Sequence, residues 1–253
     1  MDIKDKTFVV TGAARGLGKA ICMSLAGQGA NVALVDVTLE ALEQTVEQCQ
    51  KINPACNAYL YDITEEDNVA ELFTAVENDL GPVYGLVNNA GILRDALLVK
   101  AKDGEIINRM SLDQWQSVID VNLTGVFLCG REAASKMIES GAQGIIINIS
   151  SVSRAGNIGQ SNYAAAKAGV AALTATWAKE LARFGIRSAA IAPGVFETDM
   201  VAAMKPEAKA RFTAAIPADR TGELEELASA VSFILQNDYF NGRVLELDGG
   251  LRL

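Results

Sequence analysis

The sequence predicts an α/β protein, a seven-stranded parallel sheet with helices on both faces. Apolar runs of strand length alternate with helix-period segments from one end of the chain to the other. Half of the 253 residues are apolar, enough to cover both faces of such a sheet. No Pro-, Ser- or charge-rich linker, internal repeat or low-complexity tract breaks the pattern, which predicts one domain over residues 1–253.

Strands are expected near Thr7–Thr11, Asn31–Asp36, Ala55–Tyr61, Leu86–Asn88, Gly144–Ser150, Ile186–Ala192 and Val244–Leu247. Helices are expected near Gly16–Gln28, Leu39–Lys51, Glu65–Asp79, Leu112–Ser140, Asn162–Phe184 and Glu223–Leu235. Thr64 stands before Glu65, Glu66 and Asp67 as a helix cap, and the acids suit the positive end of a helix dipole. Ser111 and Gln114 have the spacing of a capping box. Asp103-Gly104, between two short alternating runs, signals a tight hairpin turn. It predicts a β-hairpin arm near 97–110 that packs on a neighbouring subunit or borders the substrate cleft.

A formal charge of −9 disfavours nucleic acid as the main partner, because Lys and Arg dominate binding to phosphate backbones. Residues 1–10 lead straight into a strand and lack the sections of a signal peptide, and no apolar stretch suits a bilayer. Cys22, Cys49, Cys56 and Cys129 are scattered, with no C-x-x-C pair. These features predict a cytoplasmic protein in a reducing setting, with neither nucleic acid nor membrane as partner. The chain has no histidine, which rules out Ser-His-Asp and Cys-His machinery and removes the commonest zinc ligand. No metal site is expected, and proton transfer near neutral pH needs a group whose pKa is shifted there.

Ligands of open α/β sheets bind beyond the carboxyl ends of the strands. The first strand runs into Thr11-Gly12-Ala13-Ala14-Arg15-Gly16-Leu17-Gly18 and then a helix. Glycines there permit a tight turn and a close approach of amides to a pyrophosphate at the helix N-terminus. Asp36 ends the second strand, where a carboxylate accepts hydrogen bonds from ribose hydroxyls and repels a 2′-phosphate. Arg15 pulls the other way, so NAD(H) is favoured and NADP(H) stays open. Tyr163 and Lys167 stand at i and i+4 on one helix face. A phenol with its ordinary pKa of ~10 is a poor base at neutral pH, and a nearby ammonium lowers it. Ser150, ending the fifth strand, is placed to hydrogen-bond a substrate oxygen.

In these motifs the chain resembles the short-chain dehydrogenase/reductase family, which implies a one-domain Rossmann fold and a dimer or tetramer, here expected as a homotetramer. The family's glycine motif matches Gly12, Gly16 and Gly18, and its adenine-contacting acid matches Asp62, followed by Ile63. Its Asn-Asn-Ala-Gly motif is Asn88, Asn89, Ala90 and Gly91, and its Pro-Gly motif is Pro193 and Gly194. The cofactor set continues through Val195 to Thr198, which corresponds to the Thr that meets the nicotinamide amide. The active-site tetrad matches Asn122, Ser150, Tyr163 and Lys167. The resemblance implies that Tyr163 exchanges the proton, Lys167 lowers its pKa and holds the ribose, and Ser150 orients the carbonyl. It also implies that Asn122 helps to hold a water leading to Lys167.

Within the family the nearest likeness is to 3-oxoacyl-thioester reductases of the fatty-acid type, carried by residues 88–95, 163–169 and 247–250. The resemblance implies an acyl-thioester substrate, on acyl carrier protein or CoA. Two features depart from that type: Asp36, and a segment 137–143 poor in the basic residues that a carrier-protein surface needs. Arg131, Lys136, Arg183 and Arg187 are the compensating candidates. A small ketone, secondary alcohol or steroid-like substrate is the alternative, and a cofactor-binding scaffold or redox sensor without turnover is the alternative of another class. Residues 195–217, with Met200 and Met204, are expected to form a substrate lid.

Overall fold

The computed structural model describes residues 1–198, 201 and 213–252. Seven strands form one parallel sheet: β1 (Thr7–Thr11), β2 (Asn31–Asp36), β3 (Cys56–Leu60), β4 (Val83–Asn88), β7 (Ile145–Ile149), β8 (Arg187–Pro193) and β9 (Val244–Leu247). Their spatial order is β3-β2-β1-β4-β7-β8-β9. The chain therefore reverses its direction of travel between β1 and β4. At such a switch point the connections diverge to opposite faces and leave a crevice.

Alternation along the strands sends side chains to two cores. Phe8 and Val10 of β1 pack with α1 (Gly16–Gly27), α2 (Leu39–Gln50) and α7 (Leu224–Gln236). Val9 faces the other way, toward α3 (Glu66–Leu80), α5 (Gly125–Ser140) and α6 (Ser161–Glu180). These strands are apolar on both faces because both faces are covered. Where the Phe8 ring lies across the neighbouring strand the sequence supplies glycine: a Cβ on Gly85, its register partner on β4, would lie 2.1 Å from that buried ring.

Several local expectations shift. The fourth strand begins at Val83, three residues before the expected Leu86. The helix expected over Leu112–Ser140 is interrupted: α4 (Leu112–Ile119) passes into a π turn, Asp120–Thr124, before α5 resumes. The extra residue carries Asn122 into the buried interior. Such turns commonly re-aim one side chain toward a site. Thr64 is not a cap, since α3 starts at Glu66 with Glu65 before it and the Thr64 hydroxyl donates to Asp62 Oδ1 at 2.8 Å. The capping box is present: Gln114 N donates to Ser111 Oγ at 3.1 Å, and Ser111 N to Gln114 Oε1 at 3.0 Å.

Residues 97–110 contain a separate antiparallel pair, β5 (Val99–Lys102) and β6 (Glu105–Arg109). Asp103 and Gly104 turn between them with φ of 52° and 83°, a conformation that glycine and aspartate tolerate best. The expected lid residues Met200 and Met204 lie outside the described residues. Among the described residues no helix is long and apolar enough to cross a membrane.

Gly85→Ala should destabilise the protein by about 1–3 kcal/mol, the usual cost of forcing extra volume into a packed core. Urea denaturation with an unchanged m-value is the measurement that checks it.

Candidate active site

At the β1–β4 switch point the loop after β1 is built from backbone contacts. Gly12 and Gly16 adopt φ of 65° and 55°. A Cβ on Gly12 would sit 2.7 Å from Ala90 Cα, and one on Gly18 would sit 2.0 Å from the Gly12 carbonyl oxygen. Asn89 fastens the loop, its Nδ2 donating to the carbonyls of Thr11 (3.1 Å) and Gly12 (3.0 Å). Thr11 Oγ1 reciprocates by accepting the backbone N–H groups of Asn89 and Ala90, both at 3.1 Å. The result is a glycine turn opening the N-terminus of α1, a geometry that receives phosphate.

Asp36 stands beside that turn. Its Oδ2 accepts Ala14 N–H at 3.1 Å, and its Oδ1 accepts the N–H groups of Val37 (2.8 Å) and Thr38 (3.0 Å). Three backbone bonds thus hold one negative charge at a fixed place. A cleft of about 390 Å³ opens here. Of the expected cofactor residues, Gly12, Arg15, Leu17, Asp36, Asp62, Ile63, Asn89, Ala90 and Gly91 line it. Gly16 and Gly18 shape the turn, and Thr198 comes near it: its Cγ2 lies 3.6 Å from a Cβ placed on Gly16. Pro193 and Gly194, at the carboxyl end of β8, do not line this cleft, and Val195 lines a smaller one of about 140 Å³ with Arg220 and Glu226. Sequence reasoning missed Val37, Thr38, Tyr61, Ile92 and Val121, which also line the larger cleft. They contribute wall, and no motif marks a wall.

The donor set fits a dinucleotide. An anion-accepting turn, packed at Gly12 against Ala90 with no room for a side chain, and a fixed carboxylate lie along one cleft.

Beyond this cleft lie the residues with acid–base chemistry. Asn122 braces the adjoining loop in both directions: its Oδ1 accepts Ile92 N–H at 2.8 Å and its Nδ2 donates to Ile92 O at 3.0 Å. Lys167 is buried, and its ammonium donates to the Ile149 carbonyl at 2.7 Å, lying 5.7 Å from the centre of the Tyr163 ring. Burial pulls the Lys167 pKa down to about 8. The Tyr163 phenol is held above its ordinary value, chiefly by burial; a hydrogen bond with Ser151 opposes this, and the charge of Asp95 adds to it.

The serine beside Tyr163 is therefore Ser151, and the expectation of Ser150 is corrected. Ser150 is buried and turned toward α6, its hydroxyl donating to the Lys167 carbonyl at 2.8 Å. The physical reason is where the strand stops: β7 ends at Ile149, and Ser151 already caps the short turn that follows, its Oγ accepting Ser153 N–H at 3.1 Å. Ser150 shares the side of Asn148, whose Nδ2 donates to Thr174 Oγ1 on α6 at 2.9 Å. Period-two counting along β7 could have raised the question, but only α6 answers it. Asp95 was also missed; its Oδ2 accepts from Gln160 Nε2 at 3.0 Å at the same mouth.

Residues 6–209 match the family model described as short chain dehydrogenase, and the chain belongs to the short-chain dehydrogenase/reductase family. It is an NAD(P)-dependent oxidoreductase acting on CH–OH groups. A 3-oxoacyl-[acyl-carrier-protein] reductase FabG of Thermotoga maritima is 39% identical, with 99% of each chain covered. A (3R)-3-hydroxyacyl-CoA dehydrogenase of Canis lupus familiaris is also 39% identical, covering 98% of this chain and 97% of the relative. The crystal structure of a proposed gluconate dehydrogenase of Agrobacterium tumefaciens superposes with a TM-score of 0.89 at 35% identity, covering 98% and 96% of the two chains.

Two outcomes follow from the geometry. Ser151→Ala should lower kcat by about 10²–10³-fold, as loss of a positioned oxygen-binding donor does, while Ser150→Ala should leave kcat within a few-fold; steady-state kinetics on both variants checks this. Lys167 should also leave a signature in stability. Between about 8 in the folded protein and ~10.4 in the unfolded chain the unfolded state binds more protons, so stability gains as pH rises through that window. Lys167→Met should abolish that gain, read as urea midpoints between pH 7 and pH 10.

Proposed function

We propose that the protein interconverts a 3-oxoacyl thioester and its 3-hydroxyacyl thioester, with NAD(H) as the favoured cofactor and NADP(H) as the less favoured one. The observation that carries the reading is the convergence of Tyr163, Ser151 and Lys167 at one mouth beyond a dinucleotide-shaped cleft. The names of two relatives supply the acyl-thioester class.

In reduction, the carbonyl oxygen accepts hydrogen bonds from the hydroxyls of Tyr163 and Ser151. When bound, the nicotinamide supplies the hydride at the carbonyl carbon, or receives it in the reverse direction. The Tyr163 proton passes to the oxygen, and the Lys167 ammonium stabilises the phenolate left behind. A phenol held above its ordinary pKa keeps that proton ready for donation. Asn122 holds the 91–92 loop in place, and its backbone lies in the π turn from which a water would reach Lys167. Asp36 would take one adenosine ribose hydroxyl on its remaining lone pair, with Gly12, Gly16 and Gly18 at the pyrophosphate and Asp62 and Ile63 at the adenine. Pro193, Gly194, Val195 and Thr198 would close on the nicotinamide side.

The thioester carrier is read as CoA in preference to acyl carrier protein. Arg131 is paired with Glu66 at 2.6 Å, Lys136 with Glu77 at 3.1 Å, and Arg187 with Asp238 at 3.2 Å, while Arg183 stacks on Phe184 at 4.6 Å. These side chains are engaged within the protomer, so none of the four compensating candidates is held out toward an acidic carrier. Free, buried cysteines support a reducing, cytoplasmic location. Apolar side chains exposed on α4 and α5, Leu112, Trp115, Phe127 and Ile138, support assembly as a homotetramer.

With acetoacetyl-CoA and NADH, Tyr163→Phe should lose about 10²–10⁴-fold in kcat, the usual contribution of a positioned general acid; turnover that survives the substitution would sink this mechanism. NADH should bind wild type more tightly than NADPH does, and Asp36→Ala should narrow the difference by about tenfold or more, about 1.4 kcal/mol. Calorimetric titration of both dinucleotides is the check, and equal wild-type affinities would defeat the role of Asp36.

A further inference from the structure

The hairpin of β5 and β6 has the chemistry of a docking element, and nothing among the described residues covers it. Its register pairs Val99 with Arg109, Lys100 with Asn108, Ala101 with Ile106 and Lys102 with Glu105. Directly opposed residues share a face of the pleat. One face therefore gathers Val99, Ala101 and Ile106 with the stem of Arg109, and the other gathers Lys100, Lys102, Glu105 and Asn108. The shift in register falls at Ile107, so two isoleucines stand against the single Ala101. The hairpin is thus amphipathic, yet every residue of both strands is exposed. Ile106 and Ile107 are 51% and 55% exposed, and Leu98, at the root of the arm, 69%.

An isolated two-stranded hairpin is marginal in water and needs a further layer on its apolar face. Contiguous exposed apolar surface of this kind marks a protein contact. The arm is also firmly rooted: Ala96 N donates to Gly159 O at 2.9 Å, and Met110 N to Leu98 O at 3.2 Å. It is a presented element with a fixed base.

We propose that this arm docks its apolar face on a second copy of this chain. Charge selects that occupant. The arm carries Lys100, Lys102 and Arg109 against Asp103 and Glu105, a net of +1, on a chain of formal charge −9; the rest of the chain carries −10. A basic, apolar finger is thereby complementary to the acidic body of its own kind. Leu112 and Trp115, on the helix α4 that follows the arm in sequence, are exposed apolar residues as well. The inference does not depend on the substrate assigned above.

The four native cysteines are buried, so Ala101→Cys offers a single accessible thiol for an environment-sensitive fluorophore. Dilution series followed in parallel by fluorescence and sedimentation velocity test the proposal. The emission should shift to the blue with the midpoint of assembly. Ile106→Lys combined with Ile107→Lys should move that midpoint at least tenfold higher in concentration, with an unchanged circular dichroism spectrum. Hydrogen exchange on the unlabelled protein provides the second reading: β5 and β6 amides should gain protection only as the chain assembles. A probe that stays exposed in the assembled protein, an arm already shielded in the monomer, an unmoved midpoint, or a chain that never assembles would each overturn the proposal.

Discussion

The constraint on which the site depends is the brace between the ends of β1 and β4. Asn89 reaches two carbonyls of the glycine turn, Thr11 returns two contacts, and Gly12 lies so close to Ala90 that a methyl group has no room. These bonds satisfy backbone groups that the turn removes from the β-ladder, which would otherwise be costly to bury. They also fix two loops that belong to opposite faces of the sheet. The cleft exists because those loops diverge there, and it keeps its shape because Asn89 ties them together. Asp36 completes the arrangement from β2, bonded to the same turn through Ala14.

A second feature governs the chemistry. Lys167 lies in an environment that disfavours its own charge, with the carbonyl of Ile149 as its hydrogen-bond acceptor. A buried ammonium interacts strongly with any negative charge that develops nearby, because little water screens it. In the proposed reaction, the phenolate left on Tyr163 is such a charge. Burial raises the Tyr163 phenol most; the hydrogen bond with Ser151 lowers it and the charge of Asp95 raises it further. The net direction is upward, opposite to the lowering by Lys167 expected in a chain without histidine.

The two consecutive serines show how a one-residue ambiguity is resolved by packing. Both stand at the end of β7, and both are buried. Ser150 still joins the ladder, donating its N–H to Ile191 O at 2.7 Å, and its hydroxyl is taken up by α6. Ser151 is the first residue free of that ladder, and its hydroxyl can serve the mouth. The π turn does similar work for Asn122, which a continuous helix over 112–140 would have aimed differently.

Much was legible in the sequence. The alternation of apolar runs determined the parallel sheet, because strands covered on both faces must be apolar throughout. The glycine spacing after β1 determined an anion-receiving turn, since glycine tolerates those φ values best and only glycine leaves room for that contact with Ala90. The cleft residues from Gly12 to Gly91 followed from position at strand ends, and Tyr163 and Lys167 from helical spacing. The tertiary structure alone decided which serine meets Tyr163, how Asn122 enters the interior, and that Asp36 is held by three backbone donors. Each of these is settled by a partner distant in sequence, and local periodicity carries no information about a partner. Tyr163 was the sequence's candidate for the acid–base residue; what surrounds its oxygen was decided by tertiary packing.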